Sequence, residues 1–397
     1  MITQVRVQNY KALHDVTLDL TPIHVLVGPN DTGKTSLLDA IAAVCRSVDH
    51  ALAQAFTGSW EERMLVWWRS QALSTTLQIC ARLEDHTFEY ALECEFKRKG
   101  RSVTVRRETF RHLDERKAEV LTSPDPRYSA IYQKWNSGAL DANEPGAAAA
   151  VAVHSTLHGV QYYRWVPRLL GLPVAPDSKV RYRMEASGFG LARCLDDILG
   201  YDEERFKALK ERLGRIFPEV KGVRLIAEPA YKAPADAAEQ VDILARAEGK
   251  GVYFRFADTA AEVPAAQVSD GVLLVLAYLA ILYLPKPPRV LLVEEPENGI
   301  HPKRLQDVLN ILRELVAEQS QTQVILTTHS PYVVDLFKPE EVTLCRKGSD
   351  GSISVRRLSE SRAVREQLDV FTLGEIWTGE GDDALAEPAA SHEDPAA

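Results

Sequence analysis

Hydrophobic and polar residues alternate from the start of the chain. Val5 and Val7 are flanked by Gln4, Arg6 and Gln8, and Val16, Leu18 and Leu20 repeat the rhythm. A two-residue period predicts half-buried strands. After Pro22 the pattern changes to the run Ile23, Val25, Leu26, Val27, which predicts a strand buried on both faces, as in a parallel sheet. Residues 76–83, 88–92 and 103–105 alternate again and predict an antiparallel meander. Trp60, Trp67 and Trp68 predict an aromatic packing cluster on a helix. Residues 121–150, with their Pro, Ser and Gly and the run Ala147 to Ala150, predict a loop or mobile insert. From Asp202 to Phe217, the side chains of Phe206, Leu209, Leu213, Ile216 and Phe217 form one helical stripe that Pro218 ends. Short strands return between 221 and 260, interrupted by a polar, Ala-rich break at 232–240. Val272 to Leu284 predicts a helix apolar on every side, and residues 289–293 and 324–328 predict two more buried strands.

The buried strand at 23–27 runs directly into Gly28, Pro29, Asn30, Asp31, Thr32, Gly33, Lys34, Thr35 and Ser36, followed by the helical stretch Leu37 to Ile41. This is the G-x-x-x-x-G-K-[ST] phosphate loop in the strand–loop–helix setting it requires. Gly28 and Gly33 permit a tight backbone that turns successive amides toward phosphate oxygens, and the helix adds its positive dipole end. In such a loop Lys34 supplies a point charge to the β- and γ-phosphates, and the Thr35 hydroxyl can ligate Mg²⁺.

Three later segments carry further chemistry. Ser269-Asp270-Gly271 opens the apolar helix and presents a hydroxyl and amides at a helix start, a weak anion-site signal when taken alone. Strand 289–293 ends in Glu294-Glu295-Pro296-Glu297, and adjacent carboxylates at a buried strand's end are costly unless a metal or a reacting water uses them. Strand 324–328 ends at His329-Ser330-Pro331, which puts a histidine at the ligand-binding edge of an α/β sheet.

Composition narrows the class. At 397 residues, 45% hydrophobic and 26% charged, the chain is globular and fills one large or two ordinary domains. The longest nearly unbroken apolar run, Gly271 to Leu284, has 14 residues, short of the roughly 20 that a membrane span needs. The first residues lack an apolar signal core, and the five scattered cysteines lack a metal-site spacing. These features predict a soluble cytoplasmic protein with no membrane partner. The net charge of −9 is lopsided. Glu375, Glu380, Asp382, Asp383, Glu387, Glu393 and Asp394 face no Lys or Arg, so residues 376–397 are expected to form a disordered acidic tail on a near-neutral body. Residues 97–117 instead hold nine Lys and Arg against three acids. That excess reads either as a phosphate-backbone contact for DNA or as a solvated hairpin surface.

Taken in order, NYKAL (Asn9 to Leu13), GPNDTGKTSLLDAI, VSDGVLLVLAYL, VLLVEEPENGIHP and TTHSP resemble the ATP-binding-cassette class of P-loop ATPases. The likeness is to its RecF/SMC-like and OLD-type (overcoming lysogenization defect) branch, the AAA family ATPases, and it covers the chain to about residue 340. The resemblance implies an α/β P-loop NTPase fold, an ABC-type ATPase head with an antiparallel β-subdomain and a helical insertion. It divides residues 1–375 into an N-lobe (about 1–110), a helical insert region (about 111–260) and a C-lobe (about 261–375).

It further implies that Gly28 to Ser36 hold ATP, with Lys34 among the catalytic groups, and that Thr35 and Glu294 support Mg²⁺. Glu295 would polarise the attacking water, and His329 would be the switch histidine. Ser269 and Gly271 would cap the γ-phosphate of the opposite protomer, and Asn298 to His301 would form the D-loop. Two chains would then sandwich two ATP molecules head to tail. Glu294 stands where Asp is commoner, Asp31 where Gly is usual, and the signature reads Ser-Asp-Gly. Gln71 and Gln78 both remain open as the Q-loop glutamine. OLD-type nucleases carry a Toprim nuclease domain after the ATPase, and the 68 residues beyond His329 show no such metal cluster. A nuclease or toxin effector is therefore expected as a separate partner.

Overall fold

The structure, a computed structural model, describes residues 1–56, 62–97, 102–113, 118–141, 143–177, 180–232, 245–318 and 322–387. The chain divides into two compact units. One comprises Met1–Val160, Pro288–Leu292 and Gln321–Ala397, the other Gln161–Pro287 and Val293–Ser320.

The first unit opens with β1 (Ile2–Tyr10), β2 (Leu13–Asp19) and β3 (Ile23–Val27), followed after helix Lys34–Arg46 by β4 (Ser74–Leu83), β5 (His86–Lys97), β6 (Ser102–His112) and β7 (Glu119–Val120). The expected meander is one antiparallel sheet in the order β2-β1-β4-β5-β6-β7. Its alternation buries Val5, Val7, Leu77, Ile79, Tyr90 and Leu92 on one face. The stretch expected to be a loop holds two helices, Ala130–Ser137 and Ala147–Leu157. Ser129 caps the first by accepting from the Tyr132 amide, and Gly138 ends it at φ +70°. The alanine run starts the second, as its high helix propensity favours. Trp60 lies outside the described residues, and Trp67 and Trp68 follow the short helix Glu62–Leu65 rather than sit on it.

The nucleotide-type sheet takes its strands from distant parts of the sequence. After β8 (Gln161–Tyr163), β9 (Val220–Lys232), β10 (Ala245–Phe256) and β11 (Glu262–Pro264) come β12 (Val290–Glu294), β13 (Gln323–Thr328), β14 (Val342–Lys347) and β15 (Ile353–Arg357). The sheet order is β15-β14-β3-β13-β12-β8. β3 runs parallel to both β13 and β14 and is buried along its whole length. β12 starts in the first unit and ends in the second. Helix Leu373–Leu385 occupies the start of the expected acidic tail. Thr372 and Glu375 form its capping box, and the backbone leaves helical values at Gly381. Residues 388–397 lie outside the described residues.

In the second unit β9 and β10 pair along nearly their full lengths, so the expected short strands are one long hairpin, with β11 on its edge. Asp202 ends helix Leu191–Tyr201 and caps helix Glu203–Ile216, accepting from the Glu204 and Arg205 amides at 3.0 and 3.3 Å. Helix Asp270–Leu282 is buried at every position from Val272 to Leu282, as its unbroken apolar sequence requires. No helix among the described residues is long and apolar enough to cross a membrane.

Candidate functional site

The phosphate loop hangs from the C-terminal end of β3, and the register fixes what lies beside it. Val27 is level with Thr328 on one side and Leu344 on the other. The loop at 28–36 and the turn at His329 therefore leave neighbouring parallel strands at the same edge, where open α/β sheets bind their ligands. Gly28 has φ +137°, and a Cβ there would stand 2.3 Å from the Cys345 carbonyl oxygen. Gly33, at φ +81°, turns the chain into helix Lys34–Arg46. Asp31 also adopts a left-handed conformation, at φ +66°, which Asp tolerates better than most side chains, and its carboxylate pairs with Lys347. Thr32 Oγ1 donates to the Pro29 carbonyl at 2.8 Å.

Lys34 is buried, and its Nζ donates to the carbonyls of Gly28 at 2.8 Å and Pro29 at 2.6 Å. The loop thus curls around a buried ammonium at a helix start that has neither a side-chain cap nor an acidic residue in its first turn. These residues fit a phosphate group: the donor set is cationic and amide-rich, and only glycine passes the closest backbone approach. Pro29, Asn30 and Thr35 are exposed, and Ser36 is half-buried. His329 is half-buried, and the Thr328 hydroxyl next to it accepts from the Ser330 amide at 3.0 Å.

The second unit carries the carboxylates. Glu294 ends β12 and is only 7% exposed. Tyr162 donates its hydroxyl to Glu294 Oε1, and Arg164 Nε lies 3.7 Å from Oε2. A buried carboxylate compensated by a cation and a hydroxyl donor is an environment suited to positive charge, so Glu294 fits a role in metal support. Glu295 is half-buried and adopts φ +48°. Strain of that kind in a non-glycine residue costs on the order of 1–3 kcal/mol and recurs at functional sites. Asn298 Nδ2 donates to Glu295 Oε2 at 2.5 Å, and its backbone amide donates to the Glu295 carbonyl at 3.0 Å. The turn continues through Gly299 at φ +83°, and the His301 carbonyl accepts from the Arg304 amide at 2.7 Å. Ser269 is exposed at the start of helix Asp270–Leu282, and its side chain makes no capping bond. A Cβ on half-buried Gly271 would lie 3.6 Å from the Gly299 carbonyl, so the helix start and the 298–301 turn adjoin.

Sequence reasoning missed Tyr162, Arg164 and the bond from Asn298 to Glu295. β8 has only three residues, too few to register as a period. The basic segment is less available than its charge suggests. Arg106 pairs with Glu93 at 3.0 Å, and Arg111 pairs with Glu89 at 2.9 Å. Arg98, Lys99, Arg101, Arg116 and Lys117 lie outside the described residues. Gln71 is exposed and Gln78 is half-buried on β4.

Residues 96–335, more than half of the chain, match the family model described as "AAA domain, putative AbiEii toxin, Type IV TA system". The chain belongs to this AAA-domain family. Residues 1–120 of this AAA protein also match the model of an AAA ATPase domain. It is 22% identical over 385 residues to the OLD nuclease of Thermus scotoductus, spanning 94% of this chain and 68% of that protein. Among solved structures it is similar to an Smc head bound to the C-winged helix domain of ScpA. That match has a TM-score of 0.53 and 14% identity, and covers 89% of this chain and 97% of the other. It is also similar to an Smc head with an extended coiled coil bound to the C-terminal domain of ScpA derived from Pyrococcus furiosus. There the TM-score is 0.50 and the identity 13%, over 93% and 99% of the two chains. The AAA protein thus has a P-loop ATPase head fold like that of the Smc heads and is similar in sequence to an OLD nuclease.

Proposed function

We propose that this AAA protein binds and hydrolyses ATP with Mg²⁺ as a cytoplasmic dimer, and that two chains close head to tail around two nucleotides. The register that levels Val27 with Thr328 carries this reading, because it sets the phosphate loop and His329 at one sheet edge. The amides of Gly28 to Ser36 and the Lys34 ammonium hold the phosphates and offset their charge. Thr35 and Glu294 hold Mg²⁺, which supplies charge neutralisation at the phosphate oxygens. Glu295, oriented by Asn298, polarises the attacking water. His329 stabilises charge at the γ-phosphate, and Ser269 and Gly271 cap that phosphate from the opposite protomer.

The task proposed for the dimer is that of a DNA-associated clamp or motor in DNA repair or phage defence, acting with a partner effector and touching DNA through residues 97–117. A specific observation favours a second reading. The pairs Arg106–Glu93 and Arg111–Glu89 neutralise part of the basic segment. On that reading the dimer is a nucleotide-gated scaffold that controls a nuclease or toxin partner without binding DNA.

Steady-state ATP hydrolysis with and without duplex DNA tests both. The clamp reading expects hydrolysis that DNA stimulates, with a salt-sensitive DNA affinity that is lost when Arg106 and Arg107 are both changed to Ala. Hydrolysis indifferent to DNA selects the scaffold. No hydrolysis under any condition counts against both.

A further inference from the structure

The segment Tyr162–Pro167 belongs to none of the motifs above, yet it meets three of them. Tyr162 donates to Glu294, and Arg164 stands 3.7 Å from the same carboxylate. The Trp165 ring is 4.5 Å from the ring of Tyr278 in helix Asp270–Leu282 and 5.1 Å from that of Tyr163. A Cβ on Gly299 would lie 3.6 Å from Pro167 and 3.0 Å from Leu274 of the same helix. The backbone of the segment is anchored: the Arg164 amide donates to the Ala186 carbonyl and the Val166 amide to the Ser187 carbonyl, both at 2.8 Å. One short strap therefore touches the metal-supporting carboxylate, the apolar helix that Ser269 opens, and the turn after Glu295.

The two ends of the Arg164–Glu294 pair differ in a telling way. The carboxylate side chain is 5% exposed, whereas that of Arg164 is 74% exposed. Left alone, the buried carboxylate would be costly, and the guanidinium compensates it without ever losing its charge. Yet an arginine whose side chain is mostly in water holds an ion pair weakly and can swing out with little penalty. A divalent cation at the same carboxylate carries twice the charge and repels the guanidinium. Tyr162 is neutral and is not repelled, so it competes with the cation only for the carboxylate oxygen that its hydroxyl occupies.

We propose that Tyr162 and Arg164 form a latch on Glu294 that a divalent cation opens, and that the strap passes this opening to helix Asp270–Leu282 and the 298–301 turn. The proposal rests on Glu294 supporting the metal, as proposed above. Arg164 is a positioning residue in this scheme, and it competes with the cation. Its function would be to keep the Ser269 end of the helix out of its nucleotide-ready position until metal and nucleotide arrive together.

The test is Mn²⁺ binding to the full chain in the presence of a non-hydrolysable ATP analogue, read from the electron paramagnetic resonance signal of free Mn²⁺. Arg164→Ala is expected to bind Mn²⁺ about threefold more tightly than the wild type, in line with the loss of a weak competing pair. Arg164→Lys is expected to match the wild type, and Tyr162→Phe to tighten binding more modestly. In parallel, Mg²⁺ with the analogue should shift tryptophan emission in the wild type. Trp165→Phe should lack that shift, and Arg164→Ala should show it before metal is added. Unchanged or weaker Mn²⁺ binding in folded Arg164→Ala overturns the latch and leaves the ATPase reading standing. A wild type that binds no Mn²⁺ with the analogue overturns both.

Discussion

A methyl group on Gly28 would have to share space with the Cys345 carbonyl oxygen, in a backbone conformation that L-residues avoid. Gly28→Ala is therefore expected to lose roughly 2–3 kcal/mol of stability in urea unfolding, together with at least tenfold in affinity for an ATP analogue. Glu295 and Asn298 make a different kind of pair. Glu295→Gln keeps the shape of the side chain and removes its charge, so nucleotide affinity should stay within about threefold. Hydrolysis should fall by roughly 100-fold or more, the usual worth of a general base. Asn298→Ala removes the amide that orients Glu295. It should lower kcat by about tenfold and leave KM nearly unchanged, the signature of an interaction needed in the transition state. A matching rise in KM would assign Asn298 to substrate binding instead.

At the scale of elements, a buried carboxylate fastens helix Ala130–Ser137 to the meander. Glu108 of β6 is 1% exposed, accepts the Tyr90 hydroxyl at 2.9 Å, and accepts the Ala130 amide at 2.7 Å. Burial outweighs these bonds and raises its pKa from 4.5 to about 7. The folded chain thus binds a proton that the unfolded chain releases. This contribution to stability is complete below about pH 4.5, falls as pH rises to about 7, and is flat above. The total change is on the order of 3 kcal/mol, and the slope should vanish in Glu108→Gln when denaturant midpoints are followed from pH 4 to 8.

That helix also shows where sequence reading stopped. Ser129 and Gly138 cap that helix and Gly146 precedes the next, but strung together with Pro and Ser they read as loop punctuation. The acidic composition of 376–397 reads as disorder, although Thr372 and Glu375 spell out a helix start just before it. β3 and the apolar helix are legible as unbroken apolar runs and helix Glu203–Ile216 by its periodic stripe, and their ends carry Pro, Asp or Ser. The places of Glu294 and Glu295 were legible for the same reason, at the end of a buried strand. The partner Tyr162 was not, because it lies 132 positions away and only the folded sheet brings it in.

For the whole molecule, the proposed dimer gives a direct expectation. Glu295→Gln should elute as a monomer without nucleotide and as a dimer with ATP and Mg²⁺, measured by light scattering on a sizing column. Ser269→Arg, placed at an exposed helix start, should abolish the ATP-induced dimer while each chain still binds the analogue. A dimer that forms equally without nucleotide would contradict nucleotide-driven closure.

The split ancestry of the sheet has a consequence for how the protein is made. β3 is built early, yet its neighbours β13 and β14 come from the far end of the chain, and the Ile2 amide finds its acceptor on Gln323, 321 positions later. At about 5–20 residues per second, a ribosome needs roughly a quarter of a minute to a minute to supply those strands. Until then the phosphate loop exists as sequence but has no wall: Cys345, whose carbonyl crowds Gly28, has not been synthesised. The loop therefore gains its neighbouring strands, and the backbone that crowds Gly28, only after translation has passed Cys345.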